Sequence, residues 1–362
     1  MSIRRTVVIA MIVTALSGGM AIAPTAPEAA SRRDRIWQLA DRQQAALDQR
    51  GIILHDAGPN RCLEKVAARL WQQMDCELPP PRVQIIVDTR TDAYAYPNGR
   101  CYITTGILER VANEDQLAMI LAHEMVHYAR QHTVAVYDPP GAAARWKAGE
   151  LQIRQQVAAA EIEADREGVM LLRRAGYRTA EVTPLLCHLW QDAKENGSPA
   201  ALAAITERRI RLMALIEQVA SGSSRAADSS RADAGREFQH RLAPALLANA
   251  QAALQRGEWK RAERSVAAYL DTRPDDARGY YFKGEIMRRQ AGFDSQGRCV
   301  TLYQEALKRD PQYPPVHRAL GELYFKAGHY RQARPYFETF LSLAPHDEAR
   351  EYIQGYLRQC QD

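Results

Sequence analysis

The last third of the chain repeats itself, and this repeat restricts the fold more than any other feature. Two segments, GEWKRAERSVAAYLDTRPDD and GHYRQARPYFETFLSLAPHD, start at Gly257 and Gly328 and align over their whole length. In each, alanine follows the glycine by five residues and proline by seventeen. A middle copy, CVTLYQEALKRDPQ, contributes Pro311 and gives proline spacings of 37 and 34 residues. Repeats of this length predict stacked helical pairs, because one pair cannot bury its apolar face alone.

These spacings are those of the tetratricopeptide helix-turn-helix repeat. Gly284 and Gly321 stand in the first helix of a pair, where a small residue lets the two helices touch. We therefore predict an all-α tetratricopeptide-repeat domain over residues 237–362, which binds a protein partner. Residues 220–236 contain Ser, Ala, Gly, Asp and Arg and no large apolar residue, and they are predicted to be a linker.

The motif HEMVH supplies the strongest chemical signal. Asn113 and Gln116 form a capping-box pattern before the apolar run LAMILA, which predicts a helix that begins at Asn113. His123 and His127 are four residues apart, so they share one face of that helix and can bind one ion. Glu124 lies beside them, where its carboxylate can act on a water molecule as general base. An incidental pair of histidines is the alternative, which a third ligand would exclude.

The segment EIEADREG offers that third ligand on a second helix, predicted over residues 151–175. Glu161 and Asp165 are four residues apart and share a face. Glu161 can complete a His-His-Glu set for one zinc ion per chain, and Asp165 can accept a hydrogen bond from a ligand histidine. Glu163 is about 200° round the helix and is expected to point elsewhere. A solvated acidic face is the alternative for this run.

Together, HEMVH and EIEADREGVMLLRRAGY resemble the gluzincin metallopeptidases of the CAAX prenyl endopeptidase and HtpX type. The resemblance covers about residues 35–219. It implies a zincin-like α+β peptidase domain over residues 32–219, with Glu161 as third zinc ligand and Asp165 as the aspartate of the same motif. In layout the chain is most similar to the family's exported, repeat-bearing members of the BepA type. That likeness implies a role in degrading misassembled envelope proteins.

The segment DAYAYPNGRCYITTGIL extends the resemblance, since it is similar to the family's hairpin ahead of the active helix. Residues 83–87 and 101–105 are predicted strands, with a turn at residues 97–99 between them. The family's edge strand is expected to pair with an extended polypeptide substrate. Two positions depart from the family pattern, because Asp92 replaces an asparagine and Asn98 replaces a glycine.

A further departure follows the second motif. Relatives place a His-Pro pair ahead of an arginine, and that histidine can occupy the open zinc position. Here Ser198 and Pro199 precede Arg209, without a histidine. We therefore expect self-inhibition of that kind to be absent or to work otherwise. Arg209 is a candidate for contacting substrate or stabilising the oxyanion, and a structural arginine in a salt bridge is the equal alternative.

The first 26 residues predict export. Arg4 and Arg5 precede the apolar run TVVIAMIVTAL, and small residues follow, as in a cleaved signal peptide. The alternative is an uncleaved membrane anchor. We expect a soluble, periplasmic protein with at most peripheral membrane association. Six cysteines suit an oxidising compartment, in which Cys62 could pair with Cys76 and Cys299 with Cys360.

The sequence thus predicts a mainly α protein: a peptidase domain with a small β-hairpin or sheet, then the repeats. The net charge of +5 is small and spread along the chain, so nucleic-acid binding is not expected. The competing hypothesis is an adaptor or chaperone whose zinc site is structural or vestigial. Glu124 favours the endopeptidase, because a structural zinc site needs no general base.

Overall fold

The structure is a computed structural model that describes residues 32–134, 146–219, 229–291 and 296–360. The predicted signal peptide, residues 1–26, lies outside the described residues, as do residues 220–228 of the predicted linker. The chain divides into two compact units, Met1–Ala245 and Leu246–Asp362, here called the first and second units. No helix within the described ranges is long and apolar enough to cross a membrane.

The first unit packs helices against a small sheet. Its elements are α1 (Arg32–Gln49), α2 (Ala57–Trp71), β1 (Arg82–Ile86), β2 (Ala93–Ala95), β3 (Arg100–Thr104), α3 (Thr105–Leu108), α4 (Glu114–Ala129), α5 (Trp146–Arg174), a 3-10 turn (Thr179–Glu181), α6 (Val182–Asn196), α7 (Pro199–Val219) and the first part of α8 (Ser229–Arg256). The last part of α8 belongs to the second unit. The mainly α fold with a small sheet is therefore confirmed.

The sheet corrects the expected pairing of its strands. Its order is β1-β3-β2, with β1 parallel and β2 antiparallel to β3. The two strands predicted from sequence both exist, but the turn before β3 connects it to β2 and not to β1. The sequence reading missed β2 because three residues are too short for a period-two pattern to show. The predicted hairpin is thus β2–β3, with β2 at the edge of the sheet.

Helix α4 lies at the centre of the first unit and carries the HEMVH motif. The predicted capping box is present: the Asn113 side chain accepts a hydrogen bond from the backbone N–H of Gln116, and the Gln116 side chain accepts one from Ala112. Thirteen consecutive residues of α4, Gln116 to Tyr128, are buried. A helix that is apolar on all sides must be surrounded by other elements, so its polar motif lies inside the protein.

Helix α5 approaches α4 closely at Gly168. A β-carbon built there would lie 3.4 Å from the backbone nitrogen of His123, which is van der Waals contact, so the two helices touch at this point. The helix ends as the sequence predicts, since Gly176 follows it with a left-handed φ of 74°. This close contact brings the EIEAD segment of α5 alongside the HEMVH segment of α4.

The second unit consists of helical pairs. They follow α8 as α9 (Trp259–Thr272), α10 (Ala277–Ala291), α11 (Gln296–Arg309), α12 (Pro314–Lys326), α13 (Tyr330–Leu343) and α14 (Arg350–Gln359). The glycines predicted at helix contacts touch aromatic rings: a β-carbon at Gly284 would lie 2.6 Å from Tyr303, and one at Gly321 would lie 2.5 Å from Phe337. The repeat prediction is confirmed.

The cysteine pairings proposed from sequence are wrong, because none of the six cysteines, all of which lie in the described residues, forms a disulfide. Cys299 and Cys360 are buried in separate apolar clusters of the second unit. Cys62 lies in the apolar core of the first unit, and burial there raises the pKa of its thiol to about 11. These cysteines therefore act as small apolar side chains in the cores.

Candidate metal centre

Three potential ligand side chains converge between α4 and α5. The Nε2 atoms of His123 and His127 lie 3.1 Å apart. The two carboxylate oxygens of Glu161 lie 3.4 Å from Nε2 of His123 and 3.3 Å from Nε2 of His127. Helical spacing explains the pair on α4, and the contact at Gly168 explains why α5 supplies the third group. The structure therefore brings together the three residues that the sequence singled out as metal ligands.

These separations fit a zinc ion. Bonds of about 2.0–2.1 Å in a tetrahedral site place neighbouring ligand atoms about 3.3–3.4 Å apart. The observed separations of 3.1–3.4 Å between the potential metal-ligand atoms are close to that value. Two imidazoles and one carboxylate are a ligand set that zinc uses in catalytic sites, where a fourth position stays open. Among the described residues these three form the one group arranged to hold a metal ion.

Asp165 orients the first histidine. Its Oδ1 lies 3.0 Å from Nδ1 of His123, so this ring nitrogen donates its proton to the carboxylate. The lone pair of Nε2 then points toward Glu161 and His127. The guanidinium of Arg208, on α7, lies 2.6 Å from the same carboxylate and donates to both of its oxygens. Asp165 contacts a ligand histidine, as expected from sequence, and Arg208 holds it there.

Glu124 is buried beside the ligands, with 6% of its surface exposed. Burial raises the pKa of its carboxyl group, partly offset by the neighbouring His123 and His127. Burial also acts on Glu161, but hydrogen bonds from the two histidines outweigh it and hold the pKa of Glu161 well below its usual range. Glu161 is therefore kept as an anion, whereas Glu124 can take up and release a proton.

The pKa of His123 shows that the ligand cluster binds a proton. Burial and Arg208 lower its pKa, yet hydrogen bonds to Asp165 and Glu161 outweigh both and raise it to about 9. A proton therefore occupies the metal-free cluster at neutral pH. Because zinc binds neutral imidazole, a zinc ion at this site would take the place of that proton.

His132 is not one of the three ligands. Its ring packs edge-on against that of His127, with the centroids 5.0 Å apart. Burial and His127 lower the pKa of His132, so its ring is neutral at pH 7. Glu163 points away from the ligands, as expected, and its Oε2 lies 3.3 Å from Nε2 of His132.

Arg209 does not reach the centre. Its guanidinium lies 5.2 Å from the centre of the Trp190 ring, so it serves a packing contact between α6 and α7. The arginine at the centre is its neighbour Arg208, which sequence reasoning missed. Adjacent arginines point about 100° apart on a helix, and only the packing of α7 decides which one faces inward. A run of apolar residues at helical spacing would have shown which side of α7 faces inward and therefore which arginine does. Helix α7 has too few buried residues to give that signal.

The two positions that depart from the family pattern have separate environments. Asp92 is buried at the start of β2, and burial together with Glu124 raises the pKa of its carboxyl group well above the usual range. Its Oδ1 accepts a hydrogen bond from the backbone N–H of Ala93. Asn98 lies in the turn before β3 and donates to the carboxylate of Asp41 on α1. Asp92 is thus a buried acid near Glu124, and Asn98 is a turn residue.

Comparison with known proteins agrees with this division of the chain. Residues 57–137 match the sequence model of Peptidase family M48, and residues 300–355 match a tetratricopeptide repeat model. The chain therefore carries a domain of a zinc-dependent metallopeptidase family and C-terminal tetratricopeptide repeats. Among solved structures, it is similar to the TPR2AB domain of yeast Sti1 in a complex with pHSP90, at 11% identity over 71% of this chain and 100% of that chain, with a TM-score of 0.30. No curated protein matches the sequence.

Proposed function

We propose that this M48 domain with its repeats is an exported zinc-dependent endopeptidase. The single observation that carries the proposal is the convergence of His123, His127 and Glu161 at zinc-ligand separations beside the buried Glu124. A helix with incidental polar residues would not pack three ligand atoms against each other inside the core, since unpaired buried polar groups are costly. One zinc ion per chain would be held by these three side chains.

When bound, zinc lowers the pKa of a water molecule and polarises the scissile carbonyl group. Glu124 takes the proton from the attacking water and passes it to the leaving amine. The raised pKa of Glu124 suits both steps. It makes the carboxylate a stronger base toward water, and it lets the carboxylic acid hold the proton until transfer to the leaving amine. Burial of Glu124 also keeps other water away from that proton.

Asp165 and Arg208 prepare the first ligand. By accepting the Nδ1 proton of His123, Asp165 fixes the tautomer that presents Nε2 to the metal. Arg208 keeps Asp165 anionic, and hydrogen bonds from Arg208 and His123 lower the pKa of that carboxyl group despite its burial. Arg208, rather than the sequence candidate Arg209, is the arginine within reach of the reacting centre.

The substrates are extended polypeptides. Strand β2 is an edge strand that packs against α4, so a substrate paired with it lies along the metal centre. Backbone pairing of this kind recognises the main chain of the substrate more than its side chains, so unfolded proteins of many sequences can bind. We further propose that the repeats recruit substrates or a partner protein, and that the enzyme degrades misassembled proteins of the cell envelope.

Localisation rests on the sequence pattern of residues 1–26. A charged start, an apolar run and small residues direct a chain to the periplasm, where the mature protein is soluble. Cell fractionation tests this. We expect a processed form in the periplasmic fraction, and recovery of the full-length chain in the membrane fraction would instead establish the uncleaved anchor.

The experiment on function compares Glu124→Gln with the wild type in the degradation of unfolded casein. We expect a rate lower by about 10²–10⁴-fold, the usual contribution of a general base, with zinc content unchanged. Glu167→Gln is the matched control, because Glu167 is on the same α4–α5 interface but pairs with Arg130 away from the ligands. Equal rates for Glu124→Gln and wild type would overturn the endopeptidase proposal.

The same variant distinguishes the adaptor hypothesis. If the repeats only recruit a partner, Glu124→Gln should leave both partner binding and cellular function intact. If the protein is a peptidase with recruiting repeats, the variant should still bind its partner but lose function in cells. Intact function with a dead centre would therefore favour the adaptor.

A further inference from the structure

The outer ring nitrogen of the second ligand histidine, Nδ1 of His127, contacts another histidine instead of a carboxylate. Nδ1 of His123 donates directly to Asp165, but Nδ1 of His127 faces Nδ1 of His132 at 3.1 Å. The two rings meet nearly at right angles, with an interplanar angle of 80°. A ligand histidine needs a fixed partner at its outer nitrogen, because this contact sets the ring's tautomer and orientation.

The backbone is folded in a way that puts His132 in this place. Helix α4 ends at Ala129, and Gln131 then adopts a left-handed φ of 54°, the one such value for a non-glycine residue in the described chain. The N–H of Gln131 donates to the carbonyl of Tyr128, and the N–H of His132 donates to the carbonyl of His127, both at 3.0 Å. This is the closing pattern of a Schellman motif, in which glycine is the usual left-handed residue. The turn therefore returns His132 to the residue it contacts.

The far side of His132 is held by α5. Its Nε2 lies 3.3 Å from Oε2 of Glu163, and the His132 side chain is 12% exposed against 45% for Glu163. One placement of protons satisfies all three groups. His127 keeps its proton on Nδ1 and donates it to Nδ1 of His132, whose own proton is on Nε2 and is donated to Glu163. This placement leaves the lone pair of Nε2 of His127 directed toward Glu161 and His123.

We propose that His132 and Glu163 form a positioning relay that fixes the tautomer and orientation of His127. Asp165 does the same for His123 without an intermediate residue. The inference rests on the proposed function, since it takes His127 as a zinc ligand. Both arms of the site then use a carboxylate from α5, Asp165 directly and Glu163 through His132, so α5 positions each ligand of α4 as well as supplying Glu161.

The test measures zinc affinity by competition with a chelator in the full chain. His132→Phe keeps an aromatic ring against His127 but removes the acceptor, and we expect zinc to bind about 10–100-fold more weakly. His132→Asn can place an amide oxygen near the position of Nδ1, and we expect it to recover most of the loss. Glu163→Gln keeps an acceptor without the charge, so its loss should be smaller than that of His132→Phe. Glu167→Gln, four residues further along α5, should bind as wild type.

The free energy of unfolding of the metal-free variants is measured alongside. A residue that only packs would change this stability without a selective loss of zinc, and Asn would not rescue it. Wild-type affinity in His132→Phe would overturn the relay while leaving the proposed function intact. If His132→Phe fails to fold, the ranking of His132→Asn and Glu163→Gln decides, and wild-type affinity in both overturns the relay. A wild-type protein without specific zinc would instead overturn the proposed function, and the relay with it.

Discussion

The two units bury ionisable groups in opposite ways. In the second unit, Glu285 accepts hydrogen bonds from the Tyr303 hydroxyl at 2.6 Å and from the Arg288 guanidinium at 2.7 and 2.9 Å. Its carboxylate is surrounded by donors, and these hold its pKa below the usual range despite burial. In the first unit, the facing atoms of His123, His127 and Glu161 are all acceptors when the histidines are neutral. The side chains of the Glu285 cluster satisfy one another, whereas the three ligand side chains supply no donor to one another when both histidines are neutral.

This difference separates structural from functional polar groups more clearly than burial does. Both clusters are buried, and both perturb pKa values. A complete cluster stabilises its helices and needs nothing further. A cluster of acceptors at metal-ligand separations is unfavourable until it binds a proton or a metal ion. The pKa of His123 is raised for this reason. A change in one cluster should therefore leave the other unaltered.

Removal of zinc should have the largest effect, and only on the first unit. The bound metal supplies several kcal/mol of stabilisation to the reaction, and about 4 kcal/mol corresponds to about 10³-fold in rate. We therefore expect casein degradation to fall by about that factor when a chelator is added, and to return with zinc. Far-UV circular dichroism should show the helices of the repeats retained. Full activity in protein shown to be free of metal would contradict the distinction between the clusters.

The pH dependence of the metal-free protein should show a proton bound by the ligand cluster. The folded pKa of His123, about 9, is above the ordinary 6.5, so its stabilising effect is fully present below pH 6.5 and is lost as the pH rises to 9. The shift corresponds to about 3 kcal/mol of unfolding free energy. Urea unfolding at several pH values measures it, and His123→Gln should abolish the loss. Constant stability of the metal-free wild type from pH 6.5 to 9 would show that no proton occupies the cluster.

A change in the complete cluster should affect stability alone. Glu285→Gln removes the charge that Arg288 and the Tyr303 hydroxyl contact, and we expect the free energy of unfolding to fall by about 2 kcal/mol. Zinc affinity should stay at the wild-type value. Glu305→Gln, in an exposed pair on the neighbouring helix, is the control and should leave stability unchanged. A loss of zinc in Glu285→Gln would show that the comparison between units is wrong.

The smallest effect concerns a partly exposed acid of the repeats. Asp276 accepts hydrogen bonds from Arg278 and from the Tyr269 hydroxyl, and these lower its pKa to about 2 despite partial burial. Its contribution to stability is therefore present above pH 4 and is lost as the pH falls toward 2. Because solvent screens the pairing, Asp276→Asn should cost about 1 kcal/mol at pH 7. Thermal unfolding at pH 7 and pH 3 checks this, and an equal cost at both would contradict the assignment.

The parts of the molecule that depend on local spacing were predictable. Four-residue intervals on α4 and α5 identified His123, His127, Glu161 and Asp165, because helix geometry alone decides which side chains share a face. Capping residues likewise located the start of α4, and the glycines of the repeats located its helix contacts. A pattern that repeats within one element needs no knowledge of the rest of the fold.

The parts of the molecule that depend on packing between distant segments were not predictable from the sequence. The choice of Arg208 over Arg209 follows from the rotation of α7 against α5, which no local pattern encodes. The parallel pairing of β1 with β3 needs β2, which is too short to recognise. Glu163 lies on the other side of α5 from Glu161, and only the left-handed turn at Gln131 brings His132 to it.

The most direct measurement is the zinc content of the purified protein and of two variants. The wild type should hold about one zinc ion per chain, and His123→Ala should hold almost none, since one of three protein ligands is lost. His317→Ala, which removes a buried histidine bonded to the Pro311 carbonyl in the repeats, should retain the ion. Near-stoichiometric zinc in His123→Ala would contradict the assignment of the ligands, and with it the proposed centre.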